Sequence, residues 1–278
     1  MEKLGNIDPR WVYLVMFVLL TIPILKPIGL ALGMDPGTKN VYNWVESLQP
    51  GDIVFGDVAY ASGSGAELNP QLFSWFYHCM KKGVKVIMVA QWNTGAKIGL
   101  DQCKAAAEKA KADGYSAEYG VDWVYVGYKS GGVTTWQAMQ KNFWDAATGT
   151  DYYGKKFEDL PLMARVKAWD KETCKGIMIF SAGSPGIPTY TQAFIGYPLY
   201  VGNVAVQAAE VEPLVRSGQI KGNLLGMTGG AQYEMLLWGT GPTLKKMDAQ
   251  SLGHLWVIVL VVLGNIAYVS KIRRKGQA

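Results

Sequence analysis

Histidine is nearly missing from this chain and cysteine is scarce: its 278 residues hold two histidines and three cysteines. A metal centre of the His/Cys kind needs paired ligands at short spacing, and neither a CxxC nor a paired-His pattern occurs. With no cluster of carboxylates either, neither a metal nor a cofactor is expected. A Ser-His-acid triad would have to use His254, which falls at the edge of an apolar run, or His78. His78 shares a predicted helix face with Ser74 and Lys81, opposite Phe76, which points it towards solvent. Three cysteines allow at most one bridge, so this is no disulfide-stapled secreted scaffold. Cys79 and Cys103 fall on inward helix stripes and read as inert buried thiols.

Nucleotide and hydrolase signatures are missing as well. No GxxxxGK[ST] occurs, and the dinucleotide fingerprint stops at Gly63-x-Gly65, with Leu68 where its third glycine belongs. Ser130 and Ser184 follow predicted strands, as a nucleophile would, but neither sits in a GxSxG elbow.

Charge is sparse and unevenly placed. The net +5 is carried by the two ends, where Lys3, Arg10, Lys26, Lys271, Arg273, Arg274 and Lys275 face only Glu2 and Asp8. The stretch between is neutral, which argues against a nucleic-acid partner, since phosphate neutralisation needs a basic face.

What the chain has instead is two long apolar runs. The segment from Leu252 to Lys275 is an apolar stretch ending in a basic cluster, the pattern of a membrane span with its cytoplasmic flank. Trp11 to Leu25 is a second uncharged run, followed by Lys26-Pro27 and the apolar piece Ile28 to Leu32. No small-x-small cleavage site follows it, so it reads as an uncleaved anchor rather than a signal peptide. Basic residues beside both runs predict a two-pass protein of the cell membrane, with both termini cytoplasmic and the body outside the cytoplasm. The expected organisation is a cytoplasmic tail at 1–10, a transmembrane helix at 11–33, an extracytoplasmic α/β domain at 38–241, a helical linker at 242–251, a second transmembrane helix at 252–270 and a basic cytoplasmic tail at 271–278. Gly264 and Asn265 interrupt the second span. A glycine permits close helix approach and an amide in hydrocarbon needs a partner, so this pair is the expected membrane-helix contact, to the first span or to a neighbouring subunit.

In the body, strand patterns cover 52–59, 84–92, 121–126, 176–181, 198–206 and 220–227. Helical patterns lie mostly between them, including 70–80 opened by Asn69-Pro70, 100–114, 133–147, 161–169, 188–196, 209–217 and 230–238. The run VKVIMVAQW is apolar without alternation, as in a strand covered on both faces. The alternation predicts an α/β class, a doubly wound, mainly parallel sheet of about six strands, and resembles Rossmann-like domains. In such sheets ligands bind beyond the carboxyl ends of the strands. The candidate ligand residues there are Asp57, Gln91, Asn93, Ser130, Ser184, Asn203 and Thr228, although turn chemistry alone would also place Ser, Asn and Thr at these points.

Ten tryptophans and fifteen tyrosines add an aromatic surface or core. With chemistry motifs missing, the expected function is that of a structural or accessory subunit. Its extracytoplasmic domain would assemble into a homo-oligomeric membrane complex, with other membrane subunits as further partners. A small-molecule binding or sensor domain is the alternative, and a membrane-tethered hydrolase using Ser184 or Ser130 is a third.

Overall fold

A computed structural model of the protein describes residues 8–275 apart from Pro27, Leu30, Ala31 and Pro185. The expectations resting on Lys3 and on the end of the chain past residue 275 lie outside the described residues, as do those on the side chains of Lys271, Arg273, Arg274 and Lys275. Internal packing divides the chain into two units, an α/β body at 33–240 and a helical unit made from the two terminal segments.

The helical unit contains α1 (Pro9–Leu25) and the last helix of the chain, α11 (Pro242–Lys275). Asp8 caps α1 by accepting the Arg10 N–H, with Pro9 at the first helical position. The helix stops at Leu25, and Lys26 is extended, as a residue before proline prefers to be. At 17 residues α1 reaches about 25 Å, shorter than the ~30 Å hydrocarbon core, so the expected helix over 11–33 is a shorter one. Among the described residues one helix, through Pro242–Ser270, is long and apolar enough to cross a membrane. The expected linker at 242–251 and span at 252–270 are one unbroken helix of 34 residues. Within this unit the Asp248 carboxylate accepts the backbone N–H groups of Ile28 and Gly29, both at 2.9 Å. Gly253 lies against Leu20 and Met16 of α1, and a Cβ there would stand 3.1 Å from the Leu20 Cδ2. Gly264, by contrast, has nothing within 4 Å of its Cβ position, and Asn265 is exposed.

The body holds α2 (Pro36–Ser47), β1 (Ile53–Ala59), α3 (Gly65–Lys81), β2 (Lys85–Ala90), α4 (Asn93–Ala112), β3 (Trp123–Tyr128), α5 (Val133–Lys141), α6 (Phe143–Ala146), α7 (Pro161–Ala164), β4 (Cys174–Ser181), α8 (Ile187–Ala193), β5 (Leu199–Asn203), α9 (Ala208–Arg216), β6 (Gly222–Leu225) and α10 (Gly226–Trp238). The six strands form one sheet in the order β3-β2-β1-β4-β5-β6, and every pair is parallel. This is a doubly wound, Rossmann-like α/β fold, and its order reverses between β1 and β4. Strand residues alternate between two cores. Val54, Val58, Met88 and Phe180 pack under α2, α3, α4 and α10, while Phe55, Ala59, Val89 and Ile179 pack under α5 to α9. Aromatics fill both sides. Trp44 stacks on Tyr200 at 4.0 Å between ring centres, and Phe55 on Trp169 at 3.8 Å. Each large side chain so buried stabilises the fold by roughly 1.5–3 kcal/mol.

Several boundaries differ from the sequence reading. The third helix begins at Gly65, with Pro70 inside it, because proline in the opening turns forfeits a single hydrogen bond. The fourth begins at Asn93 rather than Leu100. Its glycines lower helix propensity, but Gly99 is needed for closeness: a Cβ there would meet Val58 Cγ2 and the Tyr125 hydroxyl, both at 2.6 Å. The predicted helix at 133–147 breaks at Asn142, which is extended and caps α6 through the Asp145 N–H. The helix expected at 161–169 is the four-residue α7, the strand expected at 198–206 ends at Asn203, and the strand expected at 220–227 ends at Leu225, where α10 begins.

His78 is fully buried, contrary to its expected solvent-facing position. The helix that carries it packs against α2, α4 and α10 as well as the sheet, so its polar stripe faces protein. All three cysteines are free and buried, and burial pushes the thiols of Cys79 and Cys103 well above the usual range.

Candidate functional site at the sheet reversal

The crevice between β1 and β4 is where an open α/β sheet offers a binding place, because the helices leaving these two strands depart to opposite faces. Register places four residues on one level there. Ser181 pairs with Ala59 on one side and with Asn203 on the other, and Gln91 follows Ala90, the partner of Val58. All four therefore project to the face that α8 covers, as does Asp57, two residues below Ala59 on β1. The result is a polar row, Gln91–Ala59–Ser181–Asn203, with an acid beneath its centre and its smallest side chain directly above that acid.

These groups are buried yet incompletely paired. Asp57 is fully buried, and its Oδ2 accepts the Tyr190 hydroxyl at 2.5 Å, while its Oδ1 has no hydrogen-bond partner among the described residues. Gln91 Nε2 and Asn203 Oδ1 also lack partners, although Asn203 Nδ2 donates to the Val204 carbonyl. Ser181 Oγ donates to the Gly183 carbonyl at 3.3 Å and keeps its lone pairs. A buried polar atom left unpaired costs about 1–3 kcal/mol, so two in the row and one beneath it mark a place built for something besides packing. Burial pushes the Asp57 carboxyl up to about 7, against the weaker opposing pull of the Tyr190 hydroxyl and the nearby Gln91 and Val58 N–H groups.

A clasp covers the row. The indole Nε1 of Trp92, just past β2, donates to the carbonyl of Ser184, just past β4, at 2.7 Å. Because β1 lies between those strands, this bond crosses over its carboxyl end. The Trp92 ring lies against Gly183, 3.4 Å from its Cβ position.

The turns nearest Asp57 and Ser181 carry no positive charge; the lysine level with the row is Lys129, past edge strand β3, whose N–H donates to the Ala90 carbonyl and whose Nζ donates to Thr148 Oγ1 at 2.9 Å. Residues 59–64, 91–96, 182–186 and α8 contain no Lys, Arg or His. Carboxylates stand there instead: Glu67, in the first turn of α3, accepts the Ala205 N–H at 2.8 Å, and Glu210 Oε1 lies 3.4 Å from the Gly186 Cβ position. The first helix after β1 thus presents a carboxylate where a dinucleotide-binding domain holds pyrophosphate.

Of the sequence candidates, Asp57, Gln91 and Asn203 come together in the row. Ser184 contributes its carbonyl to the clasp, and its side chain is exposed. Asn93 is exposed at the start of α4, Ser130 is exposed beyond edge strand β3 with its carbonyl accepting the Thr135 hydroxyl, and Thr228 lies in the first turn of α10. Sequence reasoning missed Ser181 and Tyr190. The parity of the fourth strand held the first signal, since Ser181 lies in step with Ile177 and Ile179. Tyr190 had none.

A second polar cluster links the helices of the other face. His78 Nε2 lies 3.0 Å from Glu46 Oε1, and its Nδ1 lies 2.9 Å from the Tyr233 hydroxyl. Burial, with smaller repulsion from Lys81 and Lys82, pushes the imidazole down to about 4 against the pull of Glu46. Burial works to raise Glu46, but hydrogen bonds from His78 and Lys82 outweigh it and hold the carboxyl below its usual range. Ionised Glu46 can only accept, so Nε2 carries the proton and Tyr233 donates to Nδ1. Tyr233 is itself fully buried, and Tyr42 stacks on the imidazole at 4.7 Å, so this acid–imidazole–hydroxyl series ties α2, α3 and α10 together rather than arming a nucleophile.

Among the described residues no three His, Cys, Asp or Glu side chains converge as a metal site would require. Comparison with protein-family models, with curated proteins and with solved structures finds no match for this chain, so its function is argued from this geometry.

Proposed function

We propose that this protein is a membrane-anchored binding protein whose α/β body holds a small polar solute in the crevice between β1 and β4. One observation carries the reading: unpaired buried atoms of Asp57, Gln91 and Asn203 share one face at the sheet reversal, beneath the Trp92–Ser184 clasp. The apolar outer surfaces of the two terminal helices support the anchoring, with Trp11, Phe17, Val257, Ile258 and Val261 all exposed. The charge pattern favours both termini in the cytoplasm and the body outside it.

The test is a thermal-unfolding screen of the full chain in detergent against small polyols, amides and amino alcohols, repeated on Asn203→Leu. The reading predicts solutes that raise the wild-type midpoint and leave the variant unmoved. If no solute shifts the wild type, or if the variant responds equally, the crevice is not a binding site. Cysteine labelling from outside intact cells checks the topology, and a body reached only after lysis would invert it.

A second reading, the homo-oligomeric subunit, is favoured by Asn265. Its amide is exposed on an apolar helix, beside Gly264, whose Cβ position is open, so in hydrocarbon a second copy would be its natural partner. Mass measurement in detergent tests this, and a monomer unaffected by Asn265→Leu rejects it.

A further inference from the structure

We infer that the solute held in the crevice is a small ammonium compound with a hydrogen-bonding tail, its cationic group at Asp57 and its tail running over Ala59 and Ser181 towards Asn203. The inference rests on the binding reading above and deepens it. Two of the three unpaired atoms, Asp57 Oδ1 and Asn203 Oδ1, can accept hydrogen bonds, and one, Gln91 Nε2, can donate. The occupant must therefore donate more than it accepts. An ammonium group supplies three donors and no acceptor, and a terminal hydroxyl supplies one of each.

Charge selects further. Turns 59–64 and 182–186 and helix α8 contribute no cation, and the nearby carboxylates are Glu67 and Glu210. A phosphate or carboxylate placed at Asp57 would face that acid, with the nearest lysine by register, Lys129, two strands away and donating to Thr148, whereas a cation would find a counter-ion in Asp57. Size follows from the strands: Asp57 and Asn203 lie two strand spacings apart and are offset by two residues along the strands, about 12 Å, which a chain of roughly six heavy atoms and its hydrogen bonds can span.

The binding step balances as a proton exchange. Where Asp57 is protonated, an incoming ammonium ion pairs with the carboxylate and the displaced proton goes to solvent. The titratable group facing Asp57 is Tyr190, held neutral because burial pushes it well above the usual range; Tyr125, on the opposite face of the sheet, is pushed up in the same way.

Three probes of one length separate the possibilities: 4-aminobutan-1-ol, butane-1,4-diol and 4-hydroxybutanoate. Each is titrated calorimetrically into the full chain in detergent, in two buffers of different ionisation heat, from pH 5.5 to 8. The amino alcohol should bind, release up to one proton, and lose affinity about tenfold per pH unit as pH falls below 7. Asp57→Asn, which keeps an acceptor for Tyr190, should abolish amino alcohol binding. Preference for the diol, or binding of the amino alcohol without proton release, would overturn the ammonium assignment and leave the binding reading standing. Preference for the anion would do the same. If none of the three binds, in either protein, both fall.

Discussion

The indole of Trp92 and the carbonyl of Ser184 meet at 2.7 Å across the carboxyl end of β1, joining two turns that no strand pairing connects. Replacing Trp92 by Phe keeps a ring against Gly183 and removes that bond. The expected result is faster amide exchange at Gly183, Ser184 and Gly186, with a global loss of only about 1 kcal/mol. Unchanged exchange would mean that the turn is held by other contacts.

Asp57 sets a pH dependence. Its carboxyl moves from its ordinary 3.8 in the unfolded chain to about 7 in the folded one, chiefly through burial. Between those values the folded state holds a proton that the unfolded state has released, so this group makes stability fall as pH rises from about 4 to 7. Asp57→Asn removes that slope. Its stability relative to wild type should improve across the window by a few kcal/mol, on the order of one per pH unit. A parallel pair of curves in urea titrations at pH 4.5, 6 and 7.5 would refute the assignment.

His78 has the opposite sign. Its imidazole moves from 6.5 to about 4, mainly through burial, so the unfolded chain binds the extra proton and stability is lost as pH falls through 6.5 towards 4. His78→Gln should be less stable than wild type at pH 7.5, by about 1–3 kcal/mol for the disturbed Glu46 and Tyr233 bonds. It should also lose less stability on acidification. Equal acid sensitivity in both would place the loss elsewhere.

Gly99 tests close approach against helix propensity. Alanine is favoured in a helix by about 1 kcal/mol. Here its methyl would stand 2.6 Å from Val58 Cγ2, and overpacking costs ~1–3 kcal/mol. A net destabilisation of Gly99→Ala by urea unfolding is expected, against little change for Gly63→Ala, where the Cβ position is open.

In the helical unit, cysteines placed at Leu20 and Gly253 should cross-link under mild oxidation. Adding Asp248→Ala should slow that reaction, because the bonds to Ile28 and Gly29 are gone. An unchanged rate would show that helix packing alone aligns the pair.

The sheet was largely legible in the sequence because its strands are short apolar runs between turn residues, and burial on both faces leaves few other fates for VKVIMVAQW. What escaped was set by tertiary contact. Gly95 and Gly99 look like loop residues until the sheet behind them is known. His78 sits on a stripe that reads as polar, and only the packing of α2, α4 and α10 around its helix hides it. The crevice was half visible: Asp57, Gln91 and Asn203 fell at strand ends, but their shared face depends on register, which no single segment encodes. Tyr190 and the Trp92 clasp join positions far apart in the chain, 133 residues in one case and 92 in the other.

The grip of Asp248 on Gly29 spans 219 positions. A ribosome delivers α1 before the body, and the aspartate only after the entire body has been synthesised. α1 thus acquires its mate only after the body between them, and while that body is being made it must wait with its own greasy flanks unshielded by α11. Assembly of this unit is in effect a completion check: a chain halted anywhere before residue 248 cannot close it.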